Sequence, residues 1–181
     1  MIVQETNIKG VFVIKPKVFG DDRGYFFESF NHKLFTEATG FNGAFVQDNQ
    51  SKSSKGVLRG LHFQAPPMAQ GKLVRVVSGS VLDVAVDIRP QSKTYGEHFS
   101  IVLDTKSFEM LWVPPGMAHG FLSLEDNTVF SYKCTNYYAP ETEMSLLWSD
   151  KDLAIDWGVD NPSLSEKDKN GVTFSNFNSP F

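Results

Sequence analysis

Between Gly56 and Gln64 the chain reads GVLRGLHFQ, which brings a guanidinium (Arg59), a titratable imidazole (His62) and two glycines into nine residues. An imidazole changes charge near neutral pH, so a positioned histidine can take or return a proton under ordinary conditions. A guanidinium close by offers a planar fork to phosphate or carboxylate. Two further groups stand out. His119 follows the turn Pro114-Pro115-Gly116, and Lys72 lies in the apolar run KLVRVV. An inward lysine on an apolar strand is unusual enough to suggest a charge that it serves. Taken singly, His62 is better read as a satisfied core histidine of a β-protein.

Strands must position these groups. Runs of strand-forming residues recur at Val11–Ile14, Tyr25–Phe30, Ala44–Gln47, Leu58–Phe63, Leu73–Val77, Val81–Ile88, His98–Leu103, Glu109–Val113, His119–Leu124 and Thr128–Tyr132. Turn signals such as Ser78-Gly79-Ser80 and Glu125-Asp126-Asn127 separate them, which predicts an all-β sandwich or barrel. Asn31 to Thr39 reads as a helix with Asn31 as cap and Gly40 as stop, and Ser163 or Ser165 can cap a short one over SEKDK. Strict alternation along GVLRGLHFQ places Leu58, Gly60, His62 and Gln64 on one face and Arg59 on the other. A bulge at Gly60 would re-aim Arg59 towards His62. Within Val81–Ile88, Leu82, Val84, Val86 and Ile88 form an apolar face, while Asp83 and Asp87 share the opposite one with Val81 and Ala85. The mixed face suits a barrel with a polar interior site. The apolar face calls for a second sheet or a second subunit, and a homodimer is expected.

A chain of 181 residues suits a single domain spanning 1–181 with a sizeable core. The formal net charge of −4 argues against nucleic acid as a partner, though not against a local basic pocket for a small anion. Sixteen Phe imply an aromatic-lined interior, interface or pocket. The single Cys134 excludes an intrachain disulfide. MIVQETNIKG lacks the pattern of a secretory leader, and no apolar run approaches the roughly 18 residues of a membrane span. The expectation is a cytoplasmic protein with no membrane partner. The tail from Asn170 to Phe181, polar with isolated Phe, is expected to lie against the body.

The segments around His62 and around Pro114–His119 resemble the two signature motifs of the cupins, small jelly-roll barrels. Metal-binding cupins supply His-x-His and a later Glu from the first motif and one His from the second. Here Gln64 stands at the second His position, and Pro66 to Gly71 contains no Glu. Two histidines fall short of the three protein ligands of a catalytic zinc or iron site, so no metal is expected and His62 is free for proton chemistry. A closer resemblance covers nearly the whole chain in order. RGYFFESF (from Arg23), QDNQSKS (from Gln47), LRGLHFQ (from Leu58), QGKLVRVVSG (from Gln70), DVAVDIR (from Asp83), VPPGMAHGF (from Val113) and SEKD (from Ser165) are similar to the dTDP-4-dehydrorhamnose 3,5-epimerases. That resemblance implies a cupin-type jelly-roll barrel with a few short flanking helices, a homodimer, and no cofactor. The implied substrate is dTDP-4-dehydro-6-deoxy-D-glucose, epimerised at C3 and C5.

It also implies roles. His62 would be the base and Asp168 its orienting carboxylate, although in SEKDK a solvated helix face is the ordinary reading of Asp168. Tyr132 would be the acid on the opposite face, although a strand tyrosine is more often a packed aromatic. Lys72 would hold the enolate oxygen. His119 matches a residue that contacts the sugar or polarises its ketone, or else persists as a remnant of the second cupin motif. Arg23 and Arg59 match phosphate ligands, Phe19 and Phe26 could sandwich the base, and Glu28 could accept its imide N–H. Gln47 and Asn49 match substrate contacts, and Glu143 and Lys167 match less characteristic positions. Arg23, Phe26 and Glu28 would act across the dimer. Three alternatives remain open at this stage: a relative inverting a single centre of another dTDP-4-keto-6-deoxy sugar, a non-catalytic sugar-nucleotide-binding cupin and, third in order, a metal cupin oxygenase. The second would have no need of His62, Lys72 and Tyr132 together.

Overall fold

A computed structural model describes all of residues 1–181. The strands are β1 (Ile2–Glu5), β2 (Phe12–Lys15), β3 (Val18–Asp21), β4 (Gly24–Phe27), β5 (Gln47–Ser53), β6 (Leu58–Gln64) and β7 (Lys72–Ser78). They continue with β8 (Ser80–Asp87), β9 (His98–Asp104), β10 (Met110–Val113), β11 (Met117–Ser123), β12 (Thr128–Cys134) and β13 (Glu143–Ser145). Helix α1 (His32–Thr39) follows β4, and α2 (Glu166–Lys169) lies near the C-terminus. One sheet has the order β1-β2-β10-β7-β12-β5, a second the order β13-β6-β11-β8-β9, and β3 and β4 form a separate hairpin. From β5 to β8 and again from β9 to β13 the chain passes from one sheet to the other at each connection. Successive strands therefore line a common interior from opposite walls, the all-β architecture expected from the turn spacing.

Apolar residues fill three layers. Between the sheets, Val13, Val74, Val76, Leu111 and Phe130 meet Val81, Ala85, Leu103, Met117 and Phe121. On the outer face of the six-stranded sheet, Ile14, Leu73, Met110 and Trp112 pack under Phe35 of α1, with Phe30, Phe41 and Phe45 around it. Much of the phenylalanine load is spent here. Phe35 and Trp112 meet edge to face with centroids 5.1 Å apart, the arrangement that ring quadrupoles favour. On the outer face of the five-stranded sheet, Leu58, Leu61, Phe63, Val84, Val86 and Ile88 are covered by Leu146, Leu153, Trp157 and Phe177. The apolar face of β8 is thus covered by the C-terminal part of its own chain, where a second sheet or subunit was expected.

Helix α1 begins and ends as its sequence dictates: the Asn31 side chain accepts the Leu34 N–H, and Gly40 adopts the left-handed conformation that terminates it. Ser165, not Ser163, caps α2. The strand expected at Ala44–Gln47 instead starts at Gln47 and runs to Ser53. Its inward row, Gln47, Asn49, Ser51 and Ser53, is polar, with Ser51 lining the cavity, so hydrophobic pattern could not mark it. The short strands β1, β3 and β13 carry few apolar residues and left no signal.

Asp87 closes β8. Its buried carboxylate accepts from Arg89 Nε and Nη2 at 2.8 and 2.7 Å, Ser92 Oγ at 2.6 Å and Thr94 Oγ1 at 2.7 Å, fixing the loop that follows. Burial alone would raise its pKa, but the Arg89 guanidinium and the two hydroxyls hold it at about 2, below the ordinary 3.8. A depressed carboxyl stabilises the fold above its unfolded pKa and loses that contribution as pH falls through its folded one. The loss amounts to about 2 kcal/mol at 1.36 kcal/mol per pH unit. Between pH 4 and pH 2, denaturant titration should show the wild type losing stability more steeply than Asp87→Asn.

Candidate active site

The site begins with an irregularity in β6. His119 of β11 pairs with His62, but Phe121 pairs with Arg59, so Gly60 and Leu61 together oppose Gly120. The extra residue shifts the two-residue alternation by one. Arg59 and His62, which a regular strand would send to opposite faces, therefore line one cavity. Glycine is required at this point. Gly60 has φ +140°, and a Cβ there would lie 2.5 Å from Gly120 Cα. The same distortion aims the Gly60 N–H at Asp168 Oδ1, 3.2 Å away.

The cavity encloses about 370 Å³ between the sheets. His62, Lys72, Tyr132 and Asp168 line it, with Arg59, His119, Glu143 and Lys167. His62 Nε2 lies 2.6 Å from Asp168 Oδ1, while Asp168 Oδ2 accepts from Ser165 Oγ at 2.6 Å. Burial opposes ionisation of Asp168, but the imidazole, the Ser165 hydroxyl and the Gly60 N–H outweigh it and hold the carboxyl at about 2. An ionised carboxylate on Nε2 draws the ring proton to that nitrogen and leaves the lone pair on Nδ1. The pair is built from α2 and β6, elements about a hundred residues apart in sequence.

Lys72 Nζ donates to the His62 carbonyl at 3.3 Å. Burial pushes its pKa down, while Cys134, Glu143 and Asp83 act in the opposite direction. Burial raises the Tyr132 phenol, as does the neighbouring Cys134, against a hydrogen bond from Asn49. The phenol accordingly keeps its proton at neutral pH and is available as a donor. A second imidazole–carboxylate pair lies deeper: His119 Nε2 is 2.9 and 3.0 Å from the two oxygens of the fully buried Asp83. At the mouth, Glu143 pairs with Lys167 and accepts from Tyr138 OH at 2.8 Å.

The remaining candidates lie elsewhere. Gln47 and Asn49 are beside the cavity but engaged in supporting it: Gln47 Nε2 donates to Asn49 Oδ1 at 3.0 Å, and Gln47 Oε1 accepts the Tyr138 N–H at 2.9 Å. Phe19, Arg23, Phe26 and Glu28 belong to the β3–β4 hairpin and its exit and do not line the cavity of their own chain. Phe19 and Phe26 pair across the hairpin and are 53% and 66% exposed. Arg23 folds back on Asp21, and Glu28 accepts from Asn31 at 3.1 Å. Phe19 and Glu28 border a separate apolar groove beneath the hairpin. Asp83, Ser165 and Tyr138 were not among the expected site residues. Asp83 carried a signal, as a carboxylate on the inward face of an apolar strand. Tyr138 carried none, since it lies outside any element. No group of three or more His, Cys, Asp or Glu converges as metal ligands would.

An imidazole held by an ionised carboxylate, with a phenol and a lysine amine in the same barrel, is the equipment of an acid–base enzyme working on a substrate taken between two sheets. Comparison with known proteins gives the particular kind. The family model described as dTDP-4-dehydrorhamnose 3,5-epimerase matches residues 5–176. A curated protein of that name from Shigella flexneri is 55% identical over 174 residues, covering 96% of each chain. The crystal structure of a dTDP-6-deoxy-D-glucose-3,5-epimerase from Legionella pneumophila, in complex with dTDP-4-keto-L-rhamnose, is 45% identical with a TM-score of 0.94. The match covers 98% of this chain and 94% of that one. A 3'-monoepimerase from Streptomyces bikiniensis, in complex with dTDP-quinovose, is 34% identical with a TM-score of 0.89, covering 94% and 86%. The chain belongs to the dTDP-4-dehydrorhamnose 3,5-epimerase family and has the cupin-type jelly roll.

The bulge itself can be tested. Gly60→Ala introduces a methyl against backbone at a φ that L-residues avoid, and should destabilise the fold by about 2 kcal/mol or more in chemical denaturation. Leu61→Ile in the same strand should cost less than about 1.5 kcal/mol.

Proposed function

We propose that the chain converts dTDP-4-dehydro-6-deoxy-D-glucose to dTDP-4-dehydro-L-rhamnose by inverting C3 and C5. Both carbons flank the C4 ketone, so removal of either proton gives an enolate with its charge on the same oxygen. One stabilising cation then serves both events. His62 takes the proton from carbon, the C–H electron pair moves into the new C=C bond, and the ketone π pair moves onto O4. Lys72 holds that oxygen as an ammonium. Tyr132 delivers its proton to the opposite face of the same carbon, and the ketone re-forms with inverted configuration. Asp168 keeps the accepting nitrogen free and stabilises the imidazolium. His119, backed by Asp83, faces the sugar. The observation that carries this reading is the 2.6 Å contact between His62 and Asp168 in the cavity that Lys72 and Tyr132 also line.

A nucleoside diphosphate makes a further demand, since two phosphates need cations and thymine needs an apolar wall. Arg59 meets part of it from within the barrel. Arg23, Phe19, Phe26 and Glu28 would meet the rest from a second copy, with the exposed hairpin of one protomer reaching the cavity of its partner. The aromatic exposure of the hairpin supports such a homodimer, because a monomer would leave Phe19 and Phe26 in water.

Incubation with dTDP-4-dehydro-6-deoxy-D-glucose in deuterated water, read by NMR, is the direct test. Deuterium should enter at both C3 and C5. Entry at C3 alone would instead make the protein a monoepimerase, and entry at neither would end the proposal. His62→Ala should lower the exchange rate by ~10²–10⁴-fold with dTDP binding retained. Lys72→Ala should cost about 2.7–4 kcal/mol of transition-state stabilisation, as for loss of one oxyanion donor.

A further inference from the structure

A segment outside any helix or strand keeps one shape only if its backbone groups find partners. Residues 135–139, which connect β12 to the turn at Pro140–Thr142, obtain four of theirs from glutamine side chains. Gln70 Nε2 donates to the Asn136 carbonyl at 2.8 Å, and Gln64 Nε2 to the Tyr137 carbonyl at 3.0 Å. Gln47 Oε1 accepts the Tyr138 N–H, and Gln64 Oε1 the Ala139 N–H, both at 2.9 Å. Gln64 is 3% exposed, and its second amide hydrogen goes to the Met68 carbonyl at 2.6 Å. Its amide is thus wholly spent on two loops. What those loops present is Tyr138, whose ring borders the cavity and whose hydroxyl is fixed on Glu143 and, through it, on Lys167 beside Asp168.

We propose that Gln64 is a positioning residue for substrate binding: it holds residues 137–139 so that Tyr138 stays across the cavity mouth, latched to the wall that carries Asp168. This rests on the reading of the cavity as the dTDP-sugar site. Gln64 does not line the cavity, so it sets how firmly substrate is held and leaves proton transfer to the groups that do. A residue serving only the fold would show a different pattern, since its loss would act on all properties of the cavity at once.

Gln64→Glu keeps the size of the side chain but turns a second oxygen towards two carbonyls. It should raise KM by about 10-fold, the effect of losing a buried hydrogen bond, with kcat within about threefold. In a Tyr138→Ala background the same substitution should change KM by less than about twofold, because the group it positions is gone. Hydrogen exchange at the Tyr138 and Ala139 amides of the unliganded protein should quicken by about 10-fold or more in Gln64→Glu. Equal effects on KM in both backgrounds, a loss confined to kcat, or unchanged amide exchange would overturn the proposal. Should Gln64→Glu fail to fold, Gln70→Ala loosens the same segment at Asn136 and must show the same KM rise and the same dependence on Tyr138, or the proposal falls. A wild type that exchanges deuterium at neither carbon would defeat the functional reading alone, because amide exchange still reports on the clamp.

Discussion

The carboxylate of Asp168 joins parts of the molecule that sequence keeps far apart. It receives the His62 imidazole, the Ser165 hydroxyl and the Gly60 N–H, so one side chain orients an imidazole, closes the cap of α2 and fixes the distortion in β6. A charge this buried is costly unless its lone pairs are met, and here each oxygen has a donor. The arrangement is mutual. The bulge that brings Arg59 and His62 to one side also frees the N–H that helps keep Asp168 ionised. The site is therefore a property of elements meeting.

The jelly roll explains why such a meeting is possible. Because the chain changes sheet at most connections, residues from β6, β7, β11 and β12 converge on a single interior. Apolar residues fill one part of the space between the sheets, where Phe121 stacks on Phe130 at 4.2 Å, and the polar groups occupy the other. The aromatic floor lies directly against the titratable residues, since His119 stacks on Phe130 with 16° between the planes. An apolar floor lowers the local dielectric and strengthens the charge interactions directly above it.

Local rules made part of this legible in the sequence. Asn31 and Gly40 bracket α1 because capping chemistry is local, and the two faces of β8 show in its alternation. Lys72 betrayed itself as a charge amid valines. Asp168 had no such mark: its polar neighbours describe a surface helix, and its burial comes from a contact with a residue 106 positions away. Strand β5 was misplaced because a strand whose inward row is polar looks like a loop. The same holds for the support given by Gln47 and Gln64, where glutamine acts on backbone that has no pattern of its own. The family resemblance supplied the roles that residue patterns alone left open, and the geometry put eight of those residues around one cavity while leaving the hairpin quartet outside it.

The cover over β8 has a bearing on synthesis. Leu146, Leu153, Trp157 and Phe177 shield the outer face of the five-stranded sheet, and Asp168 comes from the same late stretch of chain. A ribosome delivers the two sheets first and the shield last, so the growing polypeptide passes through a stage with Val84, Val86 and Ile88 bare and His62 lacking its counter-ion. Sealing of the apolar flank and completion of the His62–Asp168 pair are then one event, because both wait on the same late stretch of chain.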